Sequence, residues 1–225
     1  MKWLIFFIFL SSLLDAKTDI KSLQYSGVKA IHNGKPILIE RVQNRKCLDI
    51  PITPYVLYGG DFIDKKALKE CKKTFLTTLG ILQPISIDKD IKTVGELEVL
   101  EHIKKAEHEP SKYILLDSRR ADWYEKITIP TAINLPFNEI ALDEDFKDDF
   151  EKMLTMLNIK KSKKGLDFSN AKAAVLFCNG SWCVQSSKAI FTLIDLGYPK
   201  EKLLWYRGGL QDWLAYGMTT ILNNH

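Results

Sequence analysis

The stretch AAVLFCNGSWCVQSSKAIFTLIDLG, residues 173–197, carries the strongest fold signal in the chain. Its first five residues, 173–177, are apolar without polar alternation, which is typical of a parallel strand that is buried on both faces. Residues 186–196 are predicted to form a helix that ends at Gly197. The loop between them, residues 178–183, therefore joins a predicted central strand to a predicted helix.

The same alternation of strands and helices extends on both sides of this stretch, from Thr93 onward. The other predicted strands cover residues 113–116, 132–135 and 203–206, and the other predicted helices cover residues 94–105, 144–157 and 210–216. Because strands separated by helices need crossover connections, this order predicts an α/β fold with a parallel sheet flanked by helices. Ligands of such sheets bind beyond the carboxyl ends of the strands, where Cys178 is expected.

The region before Thr93 has a different pattern. Residues 25–40 are predicted to form a hairpin around Asn33-Gly34, a dipeptide suited to the positive φ angles of a type I′ turn. Residues 64–79 then place apolar side chains at helical spacing. Residues 17–92 are therefore predicted to form a small N-terminal extension or subdomain beside a main domain at residues 93–222.

The chain begins with the pattern of a secretory signal peptide: Lys2, an apolar run over residues 3–10 and a candidate cleavage site after Ala16. The apolar run is shorter than the ~20 residues that a membrane-spanning helix needs. We therefore predict that residues 1–16 are a signal peptide and that the mature chain has no membrane association. The predicted location is outside the cytoplasm, in the periplasm if the source is a Gram-negative bacterium.

Composition narrows the class of protein further. The 225 residues are 46% hydrophobic and 27% charged, which matches one globular domain with a smaller appendage and excludes a disordered chain. The formal net charge of +4 is dispersed along the chain and forms no basic stripe, so no nucleic-acid partner is expected.

The four cysteines fall into two pairs, Cys47 with Cys71 and Cys178 with Cys183. An oxidising compartment favours disulfides, and proximity in the sequence favours these local pairings among the three that four cysteines allow. We predict a structural disulfide between Cys47 and Cys71. The histidines are scattered and neither pair has Cys-x-x-Cys spacing, so neither a metal site nor another cofactor is expected.

Cys178 is the candidate nucleophile because it follows the predicted central strand and precedes a helix. In a short loop of this kind several backbone N–H groups can face one centre, and the helix N-terminus adds a partial positive charge. Both effects favour the thiolate over the thiol. At this point an inert core cysteine stays open as the alternative, since cysteine is also a common core residue.

Residues 93–222 resemble the rhodanese domain, the sulfurtransferase fold. Four segments match in order: LLDSR (115–119), IPTAINLP (129–136), Cys178 with its loop, and LWYRGG (204–209) with Trp213 and Gly217. The last two segments are the most specific. On these motifs the region is identified as a member of the rhodanese family.

The resemblance implies covalent sulfur transfer. The Cys178 thiolate would take a sulfane sulfur from a donor, hold it as a persulfide and pass it to a thiol or another acceptor. The loop would supply the N–H groups that stabilise the charged outer sulfur, from Asn179, Gly180, Ser181, Trp182 and Cys183. The loop lacks the Arg or Lys that many sulfurtransferases carry there, which argues against thiosulfate as the natural donor.

The remaining motif residues are expected to support the loop. Asp117 and Arg119 are expected to form a structural ion pair near it, and Gly208 and Gly209 to let two backbone segments approach closely. For Trp182 three interpretations stay open, which are a pocket wall, a docking residue, or an aromatic packed against the following helix.

Two other functions stay open as well. The chain could be an exported thiol-disulfide redox or persulfide-sensing protein that uses Cys178 and Cys183, or a non-catalytic binding module whose residues 17–92 recognise a protein partner. Phosphatase activity is not expected. The related dual-specificity phosphatases have a loop that is one residue longer and ends in an Arg that binds phosphate, and residues 178–183 have neither feature. Cys183 is predicted to act as a resolving thiol, the alternative being that its side chain faces the core and never meets Cys178.

Overall fold

A computed structural model describes residues 27–39, 81, 83–140, 147–163 and 165–222 of the chain. The predicted signal peptide, the predicted helix at residues 64–79 and the predicted Cys47–Cys71 disulfide lie outside the described residues. Within the described ranges, no helix is long and apolar enough to cross a membrane.

The described residues form nine strands, five α-helices and a short 3-10 helix (Lys200–Lys202). The strands are β1 (Val28–His32), β2 (Lys35–Ile39), β3 (Lys92–Val94), β4 (Tyr113–Asp117), β5 (Ile133–Asn134), β6 (Lys160–Ser162), β7 (Gly165–Asp167), β8 (Ala173–Phe177) and β9 (Leu203–Tyr206). The helices are α1 (Glu96–His108), α2 (Ala121–Tyr124), α3 (Lys147–Met156), α4 (Gln185–Asp195) and α5 (Gly209–Ala215).

Five of these strands form a parallel sheet in the order β3-β9-β8-β4-β5. Strand β8 lies in the middle, with Leu176 paired to Leu116 of β4 and to Trp205 of β9. Its last four residues are buried. The predicted parallel sheet with a buried central strand is therefore confirmed, and the carboxyl ends of its strands meet at one edge.

Helices cover both faces of the sheet, and each face has its own apolar cluster. Helices α1 and α5 cover one face, packing against Leu115, Val175, Phe177 and Tyr206. Helices α3 and α4 cover the other, packing against Ile114, Leu116, Leu176 and Trp205. Successive residues of β4, β8 and β9 thus contribute to opposite clusters, as the two-residue period of a strand requires.

The N-terminal hairpin of β1 and β2 packs on the same cluster as α1. The turn residues Asn33 and Gly34 have φ angles of 49° and 74°, as predicted for a type I′ turn. Alternate residues of β1 are buried, and Val28, Ala30 and Ile39 contribute to the α1 cluster. The hairpin is therefore joined to the main domain by a shared core.

Several elements differ from the sequence-based prediction, and strand β3 and the short helix α2 were not predicted. Helix α1 begins at Glu96 and not at Val94, because Val94 ends strand β3 and Gly95 donates its backbone N–H to the Glu98 carboxylate at 3.0 Å. The hairpin of β6 and β7 was not predicted, because its strands are three residues long and β6 is fully exposed, so no apolar alternation marks them.

Candidate active site

Cys178 directly follows β8, and its side chain is buried, with 2% of the residue exposed. The Ser186 hydroxyl lies 3.4 Å from the Cys178 sulfur and donates to it. The Cys178 thiol can itself donate to the carbonyl oxygen of Cys183, which lies 3.2 Å from the sulfur. Ser186 belongs to the first turn of α4, so the helix start contributes a hydroxyl donor as well as backbone N–H groups.

Helix α5 fixes the orientation of the first two peptide groups of the loop. The backbone N–H of Leu210 donates to the Cys178 carbonyl at 2.9 Å, and that of Gln211 donates to the Asn179 carbonyl at 2.7 Å. Because C=O and N–H point in opposite directions in a trans peptide, the N–H groups of Asn179 and Gly180 point away from α5.

These donors make Cys178 the acidic member of the cysteine pair. Burial opposes the charged thiolate, but hydrogen bonds from the Cys183 thiol, the Ser186 hydroxyl and the backbone N–H groups of Ser186 and Gly180 outweigh it and lower the pKa of Cys178 to about 7. The hydrogen bond to Cys178, together with burial, raises the pKa of Cys183 above its ordinary value. Around neutral pH a large share of Cys178 is therefore thiolate, while Cys183 stays a thiol.

We predict that alkylation of Cys178 by iodoacetamide accelerates between pH 6 and pH 8, with its midpoint near the pKa of about 7. Below that pH the sulfur is protonated and unreactive, and above it the thiolate fraction saturates. Free glutathione alkylated in the same buffers is the control, since an ordinary thiol with a pKa of about 8.5 gains reactivity well beyond pH 8. A Cys178 profile that follows the glutathione profile would contradict the lowered pKa.

Asp117 and Arg119 form a fully buried ion pair beside the loop. Arg119 Nε lies 2.9 Å from Asp117 Oδ1, and Arg119 Nη2 lies 2.6 Å from Asp117 Oδ2. The Thr128 hydroxyl adds a hydrogen bond to the same carboxylate at 2.8 Å. Arg119 Nη1 also donates to Asn179 Oδ1 at 3.3 Å, so the pair positions the residue that follows Cys178.

Gly209 is the point where the start of α5 crosses the loop. Its φ angle is +58°, and a Cβ atom there would lie 2.3 Å from the Cys178 carbonyl oxygen and 2.8 Å from the Gly180 nitrogen. Only glycine fits this close approach. At Gly208, by contrast, the three atoms nearest to an added Cβ all belong to the Asp212 side chain and none to the backbone. The predicted approach of two backbone segments is therefore made by Gly209.

We predict that Gly209→Ala lowers the free energy of unfolding by more than Gly34→Ala does. Both positions have positive φ angles, but a Cβ atom at Gly34 meets nothing within 4 Å. The Gly34 variant therefore measures the cost of the φ angle alone, about 1–2 kcal/mol, and the Gly209 variant adds a backbone clash to it. Urea unfolding of both variants provides the measurement. Equal losses would show that the loop and α5 are not in close contact.

Trp182 lies over the loop. Its indole N–H donates to Gln211 Oε1 at 2.6 Å, and a Cβ atom added to Gly180 would lie 3.0 Å from both of these atoms. The ring also packs against the apolar cluster on the α1 and α5 side of the sheet. Of the three interpretations open for Trp182, the structure thus favours the pocket wall, with the indole hydrogen-bonded to α5.

A segment that precedes the domain lies along the outer side of the loop. The backbone N–H groups of Ile81 and Gln83 donate to the carbonyl oxygens of Trp182 and Ser181, at 2.8 and 2.7 Å. Arg207 holds the same segment by donating to the carbonyl oxygen of Gln83 at 2.8 Å and to that of Pro84 at 2.9 Å. Two loop carbonyls that do not contact α5, those of Ser181 and Trp182, therefore accept hydrogen bonds from this segment.

The structure brings all ten site residues predicted in residues 93–222 to one edge of the sheet. Sequence reasoning missed the roles of Ser186, Gln211 and Arg207. Ser186 could have been noticed as a hydroxyl residue in the first turn of α4. The other two contact the loop through tertiary packing, which no local pattern reveals. Within the described part of the chain, no three His, Cys, Asp or Glu side chains converge as metal ligands would.

Comparisons with known proteins identify the family to which the chain belongs. The model of the rhodanese-like domain matches residues 97–216. A search of curated proteins finds no match. Among solved structures, the BH2092 protein from Bacillus halodurans is 23% identical over 59% of this chain and 77% of its own, with a TM-score of 0.42.

Two further structures are similar at the same level. A rhodanese from E. coli is 22% identical, covering 48% of this chain and 96% of its own, with a TM-score of 0.32. A rhodanese-related protein from Thermoplasma volcanium is 20% identical, covering 58% of this chain and 98% of its own, with a TM-score of 0.38. The family model spans more than half of the chain and includes both Cys178 and Gly209. The chain therefore belongs to the rhodanese-like domain family.

Proposed function

We propose that the chain is a sulfurtransferase that carries sulfane sulfur as a persulfide on Cys178 and passes it to a thiol acceptor. Membership of the rhodanese-like family supports a transferase of this type. The observation that carries the proposal is the state of Cys178. Its sulfur lies just beyond the carboxyl end of the central strand and accepts a hydrogen bond from the Ser186 hydroxyl at 3.4 Å. Its pKa is lowered to about 7, so a large share of it is thiolate at neutral pH.

The chemistry follows from this arrangement. The Cys178 thiolate attacks the outer sulfur of the donor, the bond between that sulfur and the donor breaks, and the rest of the donor leaves with the electron pair. The negative charge then resides on the outer sulfur of the persulfide, where backbone N–H groups stabilise it. An acceptor thiolate attacks this outer sulfur, takes it and returns Cys178 to the thiolate.

The charges around the loop favour a donor of low charge. Residues 178–183 contain no Lys or Arg. Arg119 is paired with Asp117, and Arg207 is engaged by two backbone carbonyls. A doubly charged donor such as thiosulfate would enter without a charged partner from these two arginines, whereas a persulfide, a polysulfide chain or a thiosulfonate brings less charge to bury.

The setting of the reaction rests on the N-terminal sequence alone. The signal-peptide pattern of residues 1–16 supports action outside the cytoplasm. The contacts that Ile81 and Gln83 make with the loop support a role for the N-terminal extension in presenting a protein partner to the site. The location outside the cytoplasm, the role of the extension and the thiol acceptor are therefore all parts of the proposal.

The test compares benzenethiosulfonate, a monoanion, with thiosulfate, a dianion, as donors to the full-length chain. Release of sulfinate or sulfite in the first turnover measures attack by Cys178. We expect roughly tenfold or faster release from the monoanion, as the loss of one charge-assisted hydrogen bond of about 1.5–3 kcal/mol implies. No release from either donor would contradict the proposed function, and a preference for thiosulfate would contradict the charge argument.

A further inference from the structure

We infer that Cys183 resolves the Cys178 persulfide, so that the chain releases the sulfane sulfur as hydrosulfide and closes a disulfide within its own loop. This inference rests on the proposed function, since it needs the persulfide. It adds a second activity, the reduction of sulfane sulfur to sulfide, to the transfer of sulfur to an external acceptor.

The first observation is the contact between the Cys178 sulfur and Cys183. The Cys178 sulfur lies 3.2 Å from the Cys183 carbonyl oxygen, and the two residues begin and end one six-residue loop. Both residues are buried, with exposed fractions of 2% for Cys178 and 6% for Cys183. This contact places Cys183 beside the reacting sulfur, as an attack by its thiol requires.

The second observation is the turn that closes the loop. The backbone N–H of Cys183 donates to the Gly180 carbonyl oxygen at 2.9 Å, which reverses the direction of the chain within the loop. The reversal brings Cys183 back toward Cys178 and holds it there.

The step balances without any further reagent. The Cys183 sulfur attacks the inner sulfur of Cys178–S–S⁻, and the bond between the inner and outer sulfurs breaks. The outer sulfur leaves as HS⁻ and takes the proton of the Cys183 thiol, while a Cys178–Cys183 disulfide forms. Counted from the dithiol, the sulfane sulfur gains two electrons and the cysteine pair loses two. A dithiol reductant then returns the disulfide to the two thiols.

The surroundings of the loop favour this internal attack over an external one. Trp182 and residues 81, 83 and 84 lie over the loop, and Cys178 is almost fully buried. An external thiol must enter past these groups, whereas Cys183 is already in contact with the reacting sulfur. Holding two reacting groups in one loop removes most of the entropic cost of bringing them together.

The experiment loads the reduced full-length chain with benzenethiosulfonate, whose leaving group is a sulfinate and supplies neither sulfide nor a thiol. The reaction runs without added thiol, and a sulfide electrode and mass spectrometry of the loop peptide follow it. In the wild-type chain we expect one hydrosulfide per chain and a loop peptide lighter by about 2 Da. Cys183→Ser is expected to release none and to keep a persulfide on Cys178, heavier by about 32 Da, for at least roughly ten times longer.

Two variants separate resolution from a hydrogen-bonding role of Cys183. Serine at position 183 keeps a donor to Cys178 but cannot form a sulfur–sulfur bond, while Cys183→Ala removes both. If Cys183 only donates a hydrogen bond, the serine variant will match the wild-type chain in persulfide lifetime, which would overturn the inference. A persulfide found on Cys183 would also overturn it. If neither the wild-type chain nor Cys183→Ser forms a persulfide, the proposed function itself fails.

Discussion

Cys178→Ser is expected to reduce sulfur transfer from benzenethiosulfonate to dithiothreitol to the uncatalysed rate, a loss of about a thousandfold or more. Serine occupies nearly the volume of cysteine but cannot form a persulfide. The side chain is buried, but the substitution is nearly isosteric. We therefore expect the unfolding midpoint to change by only a few degrees. Hydrosulfide release and thermal unfolding measured on the same preparation test both expectations.

The two readouts separate a catalytic from a structural role of Cys178. Transfer that persists in a folded Cys178→Ser variant would contradict the assignment of the nucleophile. A variant that loses its fold together with its activity would show that Cys178 stabilises the loop and its packing. Circular dichroism of the variant before the assay therefore serves as the control.

Arg119→Met is expected to lower the free energy of unfolding by about 3–5 kcal/mol. The side chains of Arg119 and Asp117 are both 0% exposed, so removing the cation leaves a buried carboxylate without its charged partner. The Asn179 side chain also loses its donor. Urea unfolding measures the loss. Adding Asp117→Asn to the same chain removes the stranded charge and should recover part of the stability.

An exposed ion pair provides the matched control for this loss. Lys152 and Asp149 lie 2.8 Å apart with 71% and 37% of their side chains exposed, so Lys152→Met should cost far less stability than Arg119→Met. If Arg119→Met does not fold, Arg119→Lys keeps the charge but not the two-pronged geometry and is expected to give an intermediate loss. A loss below about 1 kcal/mol in either Arg119 variant would show that the buried pair is not a structural element of the site.

The strands and helices that carry local patterns were predictable from the sequence. The unbroken apolar run at residues 173–177 indicated a strand buried on both faces, and it is β8 at the centre of the sheet. The Asn33-Gly34 dipeptide placed the hairpin turn, because few residues other than Asn and Gly accept two successive positive φ angles. In both cases the local chemistry of a few residues determines the structure.

The curl of the active loop was not predictable in the same way. The spacing of Cys178 and Cys183 left open whether the second sulfur meets the first. The answer depends on Leu210 and Gln211, about 30 residues later, whose N–H groups orient the loop peptides. It also depends on Gly209, which permits the approach. Contacts between segments so distant in the sequence leave no periodic signal.

The persulfide on Cys178 is the central claim, and mass spectrometry of the Cys183→Ser variant tests it most directly. The variant is treated with benzenethiosulfonate and digested with trypsin, and the peptide of residues 173–188, which contains Cys178, is fragmented. The account predicts an added mass of about 32 Da on Cys178 that cyanide removes as thiocyanate. An unmodified Cys178 in a folded variant that has been exposed to the donor would contradict it.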